Sequence, residues 1–140
     1  VADALLPLSV LFGWPAVLGF SLGAFVANFF GGLGPIDMVG GSLANIVATY
    51  AAWRIGQARV RGSWLLAVVT EVMVVSLIVG SYLSYLFDMP LAVGLLGVLL
   101  GSLVAIGILG YALLLAISRS AITTRLRSLG LITPPKNSQA

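Results

Sequence analysis

Long apolar runs, cut at intervals by glycine, proline and charge, organise this chain. The interruptions fall at Gly13-Trp14-Pro15, at Gly31-Gly32-Leu33-Gly34-Pro35, between Arg54 and Gly62, and at Asp88-Met89-Pro90, leaving five hydrophobic segments. The first, about residues 4–12, is too short to cross a bilayer at a helical rise of about 1.5 Å per residue. Residues 15–30, 36–55, 63–87 and 91–118 are of crossing length, and Pro15 stands where a first-turn proline is tolerated. The stretch 122–140, with Pro134-Pro135 and a polar end, reads as an amphipathic surface segment followed by a flexible tail. The pattern predicts an all-α, polytopic membrane helical bundle over residues 1–121, with residues 122–140 on the cytoplasmic surface.

Composition agrees: 60% of the 140 residues are hydrophobic and 8% are charged, and the mean hydropathy is +1.14. Such a chain takes the lipid bilayer as its solvent. With no cysteine and no histidine, it has no thiol nucleophile, no disulfide and none of the commonest metal ligand, so neither metal catalysis nor a cofactor is expected. No phosphate-binding loop and no nucleophile with an adjacent base occurs, which speaks against an enzyme. The net charge of +3 comes from seven basic residues in two short clusters, too sparse for a nucleic-acid surface and better read as topology signals. Arg54, Arg59 and Arg61 form one cluster; Arg119, Arg125, Arg127 and Lys136 form the other. Both are expected in the cytoplasm, with the C-terminus, in a plasma-membrane-like topology. The turns at 31–35 and 88–90, and Asp3 at the start of the chain, then face outward.

Polar residues inside the apolar runs carry the candidate chemistry. Glu71 lies ten residues beyond Arg61, roughly 15 Å deep and near the bilayer midplane. A charged side chain there costs about 2.5–3.5 kcal/mol, so it is expected to face the bundle interior, a partner or a water-filled cavity. The ladder Glu71, Val75, Ile78, Tyr82, Tyr85 puts both tyrosines on its face, and the ladder Asp37, Gly41, Asn45, Thr49 draws a second polar stripe. Gly40 and Gly41 permit close approach of a ligand or helix. Structural readings stand beside these: Asp37 as a helix-start residue, Asn45 as interhelical glue, Glu71 as a protonated carboxyl bonded to a neighbouring helix, and the tyrosines as interfacial belt residues. The pairs Gly19/Gly23, Ala44/Ala48, Ala48/Ala52 and Gly97/Gly101 read as helix packing, within the chain or against a partner.

The ordered motifs Ala4-Leu5-Leu6-Pro7-Leu8, Leu11-Phe12-Gly13-Trp14-Pro15-Ala16-Val17, Gly19, Gly23, Ala27-Asn28, Gly32-Leu33-Gly34 and Ile36-Asp37 with Gly41 resemble the queuosine-precursor transporter (QueT) family, whose members are substrate-binding S components of energy-coupling factor (ECF) transporters. Motifs carry the resemblance over residues 1 to about 55, and hydropathy alone over 62–118. It implies a six-helix bundle, of which five hydrophobic segments are seen here, that binds a 7-deazaguanine near the outer face. The implied partners are a transmembrane coupling protein and two ATPase subunits. The family usually begins with a full apolar helix, and against that pattern a first helix is missing here, which fits either a shortened sequence or a naturally short variant. Where its last helix tends to carry Gly-Glu, this chain has Gly101-Ser102, and Glu71 is the residue to take over that role.

A guanine-like ring presents neighbouring N–H and NH₂ donors that a carboxylate accepts in bidentate fashion. Asp37 or Glu71 suits that edge, Asn45 or Asn28 the carbonyl edge, Tyr82 or a tryptophan such as Trp14 the ring face, and Asp3 or the remaining acid an aminomethyl group. The expected site is therefore Asp3, Asn28, Asp37, Gly41, Asn45, Glu71 and Tyr82, in a capture subunit for a purine-like vitamin precursor. Two other readings fit the same residues: a stand-alone proton-coupled carrier using Glu71, and a non-transporting assembly subunit built on the small-residue pairs.

Overall fold

The structure, a computed structural model, describes residues 2–58, 60–119 and 121–131. Every regular element among them is helical. A 3₁₀-helix, Ala2–Leu8, runs into a short α1, Ser9–Phe12. The long helices α2, Trp14–Gly31, α3, Pro35–Gly56, and α4, Ser63–Leu86, follow. The last span begins as α5, Leu91–Ser102, widens into a π-helix over Leu103–Gly110 and ends as α6, Tyr111–Ser118. A short α7, Ala121–Ser128, comes after it.

Helix boundaries fall where the sequence placed them because Pro35 occupies a first-turn position, Pro90 immediately precedes α5, and glycines close the turns. Gly13 at φ 65° and Gly34 at φ 97° adopt backbone conformations that a side chain would strain. Short connections make successive long helices antiparallel, and α3 packs against α2 on one side and α4 on the other, with α5 beyond α4. Arg54, Arg61 and Arg119 consequently share one end of the bundle, and the turns at 31–34 and 87–90 share the other. Arg59 and Lys136, which belong to the same charge pattern, and the expected tail from residue 132 onward lie outside the described residues.

Among the described residues, three helices are long and apolar enough to span a membrane: Trp14–Gly31, Ser63–Leu86 and Leu91–Ser118. At 22 residues, α3 has the length too. It carries Asp37, Asn45 and Thr49 on its buried side and Leu43 and Val47 on its exposed side. This inversion recurs throughout: Leu22, Phe30, Leu66, Leu77 and Leu100 face outward, while Ser9, Glu71, Ser76 and Ser102 are buried. A lipid solvent produces it, since apolar side chains lose nothing in hydrocarbon and polar groups need partners that only the protein can offer.

The short first segment sits at the centre of the bundle, buried at each of residues 6–11. Asp3, expected in an outer loop, instead stands in the 3₁₀-helix, because irregular backbone at membrane depth would leave amides without partners. Its neighbours make room: a Cβ on Gly56 would come within 2.6 Å of Val10 Cγ1, and one on Gly110 within 2.8 Å of Pro7 Cγ. Gln57 Nε2 donates to the Val10 carbonyl at 3.3 Å. Between α2 and α3, Ser21 and Ser42 form a reciprocal clasp, with hydroxyls 2.8 Å apart and Ser42 Oγ donating to the Ser21 carbonyl at 3.1 Å.

The small-residue pairs divide. Ala44, Ala48 and Ala52 are fully buried and form the packing seam of α3. A Cβ on Gly19, Gly23, Gly97 or Gly101 would meet nothing within 4 Å. The close α4–α5 crossing uses other glycines: a Cβ on Gly80 would fall 2.9 Å from Leu95 Cα, and one on Gly94 would overlap Ser84 Oγ and lie 2.7 Å from the Gly80 carbonyl. Gly94→Ala is therefore expected to destabilise the bundle by about 1–3 kcal/mol, read as a lower melting temperature in detergent. Gly97→Ala, with open space around it and better helix propensity than glycine, is expected to leave melting unchanged or raise it.

Candidate functional site

The polar stripe of α3 meets α2 and α4 in the half of the bundle away from the arginines. Asp37 stands in the first turn of α3, whose N-cap is Gly34. The Asp37 carboxylate accepts the Tyr82 hydroxyl from α4, with Oη to Oδ1 at 2.9 Å. From α2, Asn28 donates its Nδ2 to the Asp37 main-chain carbonyl at 2.9 Å. These two bonds tie three helices together at one residue.

Both glycines of the stripe are required by this junction. A Cβ at Gly41 would overlap Asn28 Nδ2, and one at Gly40 would sit 2.9 Å from Cδ1 and Cε1 of Tyr82. Backbone without side chains thus lets the amide reach its carbonyl and the phenol ring approach α3 closely.

A hollow of about 130 Å³ opens beside the junction. Asn28, Gly41, Asn45, Tyr82 and Asp3 give it polar walls, and Ala24, Val75, Val79 and Val98 complete it from α2, α4 and α5. A second hollow, about 240 Å³, lies between the first segment and α2, lined by Leu5, Leu6, Phe20, Gly19 and Gly23 among others. Asp3, Ala24 and Asn45 line both, forming a common wall. Each is smaller than the range of about 300–1,000 Å³ usual for small-molecule sites. Gly19 and Gly23, expected as a packing pair, serve here as floor.

Five of the seven expected site residues, Asp3, Asn28, Gly41, Asn45 and Tyr82, line this space, and Asp37 holds two of them. Glu71 lines neither hollow. It is fully buried one turn from Val75, accepts the Ser9 hydroxyl at Oε1 over 3.3 Å, and has no partner for Oε2. Tyr85 points outward, 78% exposed, so the two tyrosines of the α4 ladder part company. Trp14 is far from the hollow as well. It forms a cluster with Tyr50 and Trp53, ring centroids 5.7 and 6.2 Å away, towards the arginine-bearing end. The aliphatic wall of Ala24, Val75, Val79 and Val98 was not anticipated, because apolar residues in an apolar chain carry no signal of their own. A larger groove of about 490 Å³ between α4 and the last span has only aliphatic side chains and a glycine along it, and thus nothing to orient a polar ligand.

With this geometry in hand, comparison with known proteins is decisive: a family model described as QueT transporter matches residues 1–119. The chain belongs to the QueT transporter family. It is a multi-pass membrane protein of a transporter family, in agreement with its apolar spans and internal polar hollow. No curated protein and no solved structure matches it. The match extends past residue 55, where the motif resemblance ended, so α4 and all of the last span are QueT in sequence as well as in hydropathy.

Removing the Tyr82 hydroxyl leaves a buried carboxylate short of a donor. Tyr82→Phe is expected to cost about 1–3 kcal/mol, visible as a lower melting temperature without ligand. Asp37→Asn, which can keep an oxygen acceptor at the same place, is expected to cost less. Equal losses, or none, would show that the bond does not hold α3 to α4.

Proposed function

We propose that this QueT-family chain is the substrate-capture subunit of an energy-coupling factor importer, taking up a 7-deazaguanine queuosine precursor from the outer side. One observation carries the reading: a hollow with convergent polar groups lies in the half of the bundle opposite the arginine-bearing end. The positive-inside rule sets that arginine end, and with it the C-terminus, in the cytoplasm. The walls suit a flat heterocycle. Asn45 and Asn28 offer amide groups to its edges, and Tyr82 and the aliphatic wall cover its faces. Asp37 acts from behind, fixing Tyr82 and Asn28. Glu71, through Ser9, steadies the segment that brings Asp3 to the hollow.

The sequence contains no nucleotide-binding loop, so uptake driven by ATP needs ATPases on other chains, reached in this reading through a coupling protein in the membrane. A carrier that cycles a proton on Glu71 is less well supported, because that carboxyl lines neither hollow.

The test is a thermal-shift titration of detergent-purified protein with deazaguanines, guanine, riboflavin, thiamine and biotin. Ligand at a hundredfold excess over its Kd stabilises the folded state by about 2.7 kcal/mol, so a selective shift with deazaguanines is expected. Asn45→Ala is expected to abolish it while the unliganded protein stays folded. A response to none of the panel would overturn the proposed ligand. Uptake by proteoliposomes without any ATPase would overturn the capture-subunit role.

A further inference from the structure

The groove between α4 and the last span shares no residue with either hollow. Leu65, Val69 and Met73 of α4 line it opposite Leu103, Gly107 and Ile108, which all belong to the π-helical stretch. The bare Gly107 leaves a recess there: a Cβ on it would meet only Leu103 Cδ2 and Val72 Cγ2, both at 4.0 Å. The five larger side chains are exposed, so the groove opens sideways from the bundle. At membrane depth, what lies beside it is hydrocarbon.

Its shape limits what can enter. Leu65 and Met73 are about 12 Å apart at helical rise, and about 490 Å³ spread over that length has a cross-section of about 40 Å². That is no more than about half the cross-section of a helix about 10–12 Å in diameter. The slot is too narrow for a helix and suits a hydrocarbon chain.

Charge distinguishes one end of the groove. Leu65 follows Arg61 by one turn's rise, about 6 Å, and Met73 lies about 18 Å above it, so the groove occupies the arginine-side half of a hydrocarbon core about 30 Å thick. Arg61 and Arg119 are exposed at that end. The four acids of the chain are placed elsewhere: Asp3, Asp37 and Asp88 toward the opposite end, and Glu71 buried against Ser9. No acidic side chain of the bundle neutralises the arginines.

We propose that this groove seats an acyl chain of an anionic phospholipid from the leaflet at the arginine end, with the headgroup phosphate on Arg61. The positive-inside rule makes that leaflet the cytoplasmic one. Basic side chains beside clefts between transmembrane helices bind anionic headgroups in this way, and the guanidinium fork matches two phosphate oxygens. The chain fills the recess of the π-helical stretch and joins α4 to the last span.

The experiment titrates the delipidated, detergent-purified full chain with phosphatidylglycerol and with phosphatidylcholine of the same acyl chains. Melting temperature is the readout, because a lipid that binds the folded state raises it. The wild type is expected to respond to phosphatidylglycerol at about fivefold lower concentration, the advantage that one arginine near an anionic headgroup supplies. Arg61→Gln is expected to bring the two lipids level by weakening phosphatidylglycerol alone. Gly107→Leu, which puts a side chain into the groove, is expected to remove both responses; should it not fold, Val69→Trp fills the groove from the exposed side of α4. An unchanged response in a folded groove-filling variant would overturn the groove as the lipid's seat. Equal affinity of the wild type for both lipids would overturn headgroup selection by Arg61. No response to either lipid would overturn the proposal, and a wild-type dimer that Gly107→Leu breaks would then give the groove to a second copy. Neither Arg61 nor Gly107 lines a hollow, so thermal shifts with deazaguanines are expected to survive in both variants, and this inference stands or falls apart from the capture-subunit reading.

Discussion

Inside a bilayer a polar group has only the protein to bond with, and the whole arrangement of this molecule answers to that constraint. Each long helix satisfies its own backbone, so what remains is to place the few polar side chains. They point inward, where serines bond to carbonyls one turn back, as Ser76 does to Val72 and Ser84 to Gly80, or to a partner helix, as Ser21 and Ser42 do. The outward faces are left to leucine, valine and phenylalanine. The interior joins a cluster of aliphatic side chains, among them Leu6, Leu11, Val68, Val72, Ile106 and Leu114, to a seam of small residues, Ala44, Ala48 and Ala52 on α3, along which helices approach closely.

The centre of this bundle is occupied by its shortest segment. Residues 6–11 are buried among α3, α4 and the last span, and the surrounding helices give way by lacking side chains at Gly56 and Gly110. One consequence is mechanical: Asp3 reaches the hollow only because the segment below it is gripped, partly by the Ser9–Glu71 hydrogen bond. A second concerns the last span. Its π-helical stretch, Leu103–Gly110, ends at the glycine that meets Pro7, so the widened turns coincide with the closest approach to the first segment.

The hollow itself is made by what is not packed. Where Gly40 and Gly41 admit Tyr82 and Asn28, the helices are drawn together. Beside that junction Gly19, Gly23 and Ala24 leave space that larger residues would fill. Closure on one side and vacancy on the other come from the same device, the missing side chain. The chemistry that results is polar on one side and aliphatic on the other, with Asp3, Asn28, Asn45 and Tyr82 facing Val75, Val79 and Val98 across the hollow.

Much of this was determined by the sequence alone. Segment boundaries follow from proline, glycine and charge, because these break or end helices wherever they stand, and the membrane class follows from composition. The i, i+4 spacing of Asp37, Gly41 and Asn45 fixed them to one helical face irrespective of what packs there. Only the tertiary structure decided which faces meet. Periodicity treats Glu71, Tyr82 and Tyr85 alike, yet Tyr82 reaches the hollow, Glu71 is sealed against Ser9 and Tyr85 faces outward, because rotation and crossing of α4 are set by its neighbours rather than by its own residues. Asp3 shows the same limit. Nothing local distinguishes an acid in a loop from one carried into a membrane cavity by a buried segment, and that difference arises from packing between residues far apart in the chain.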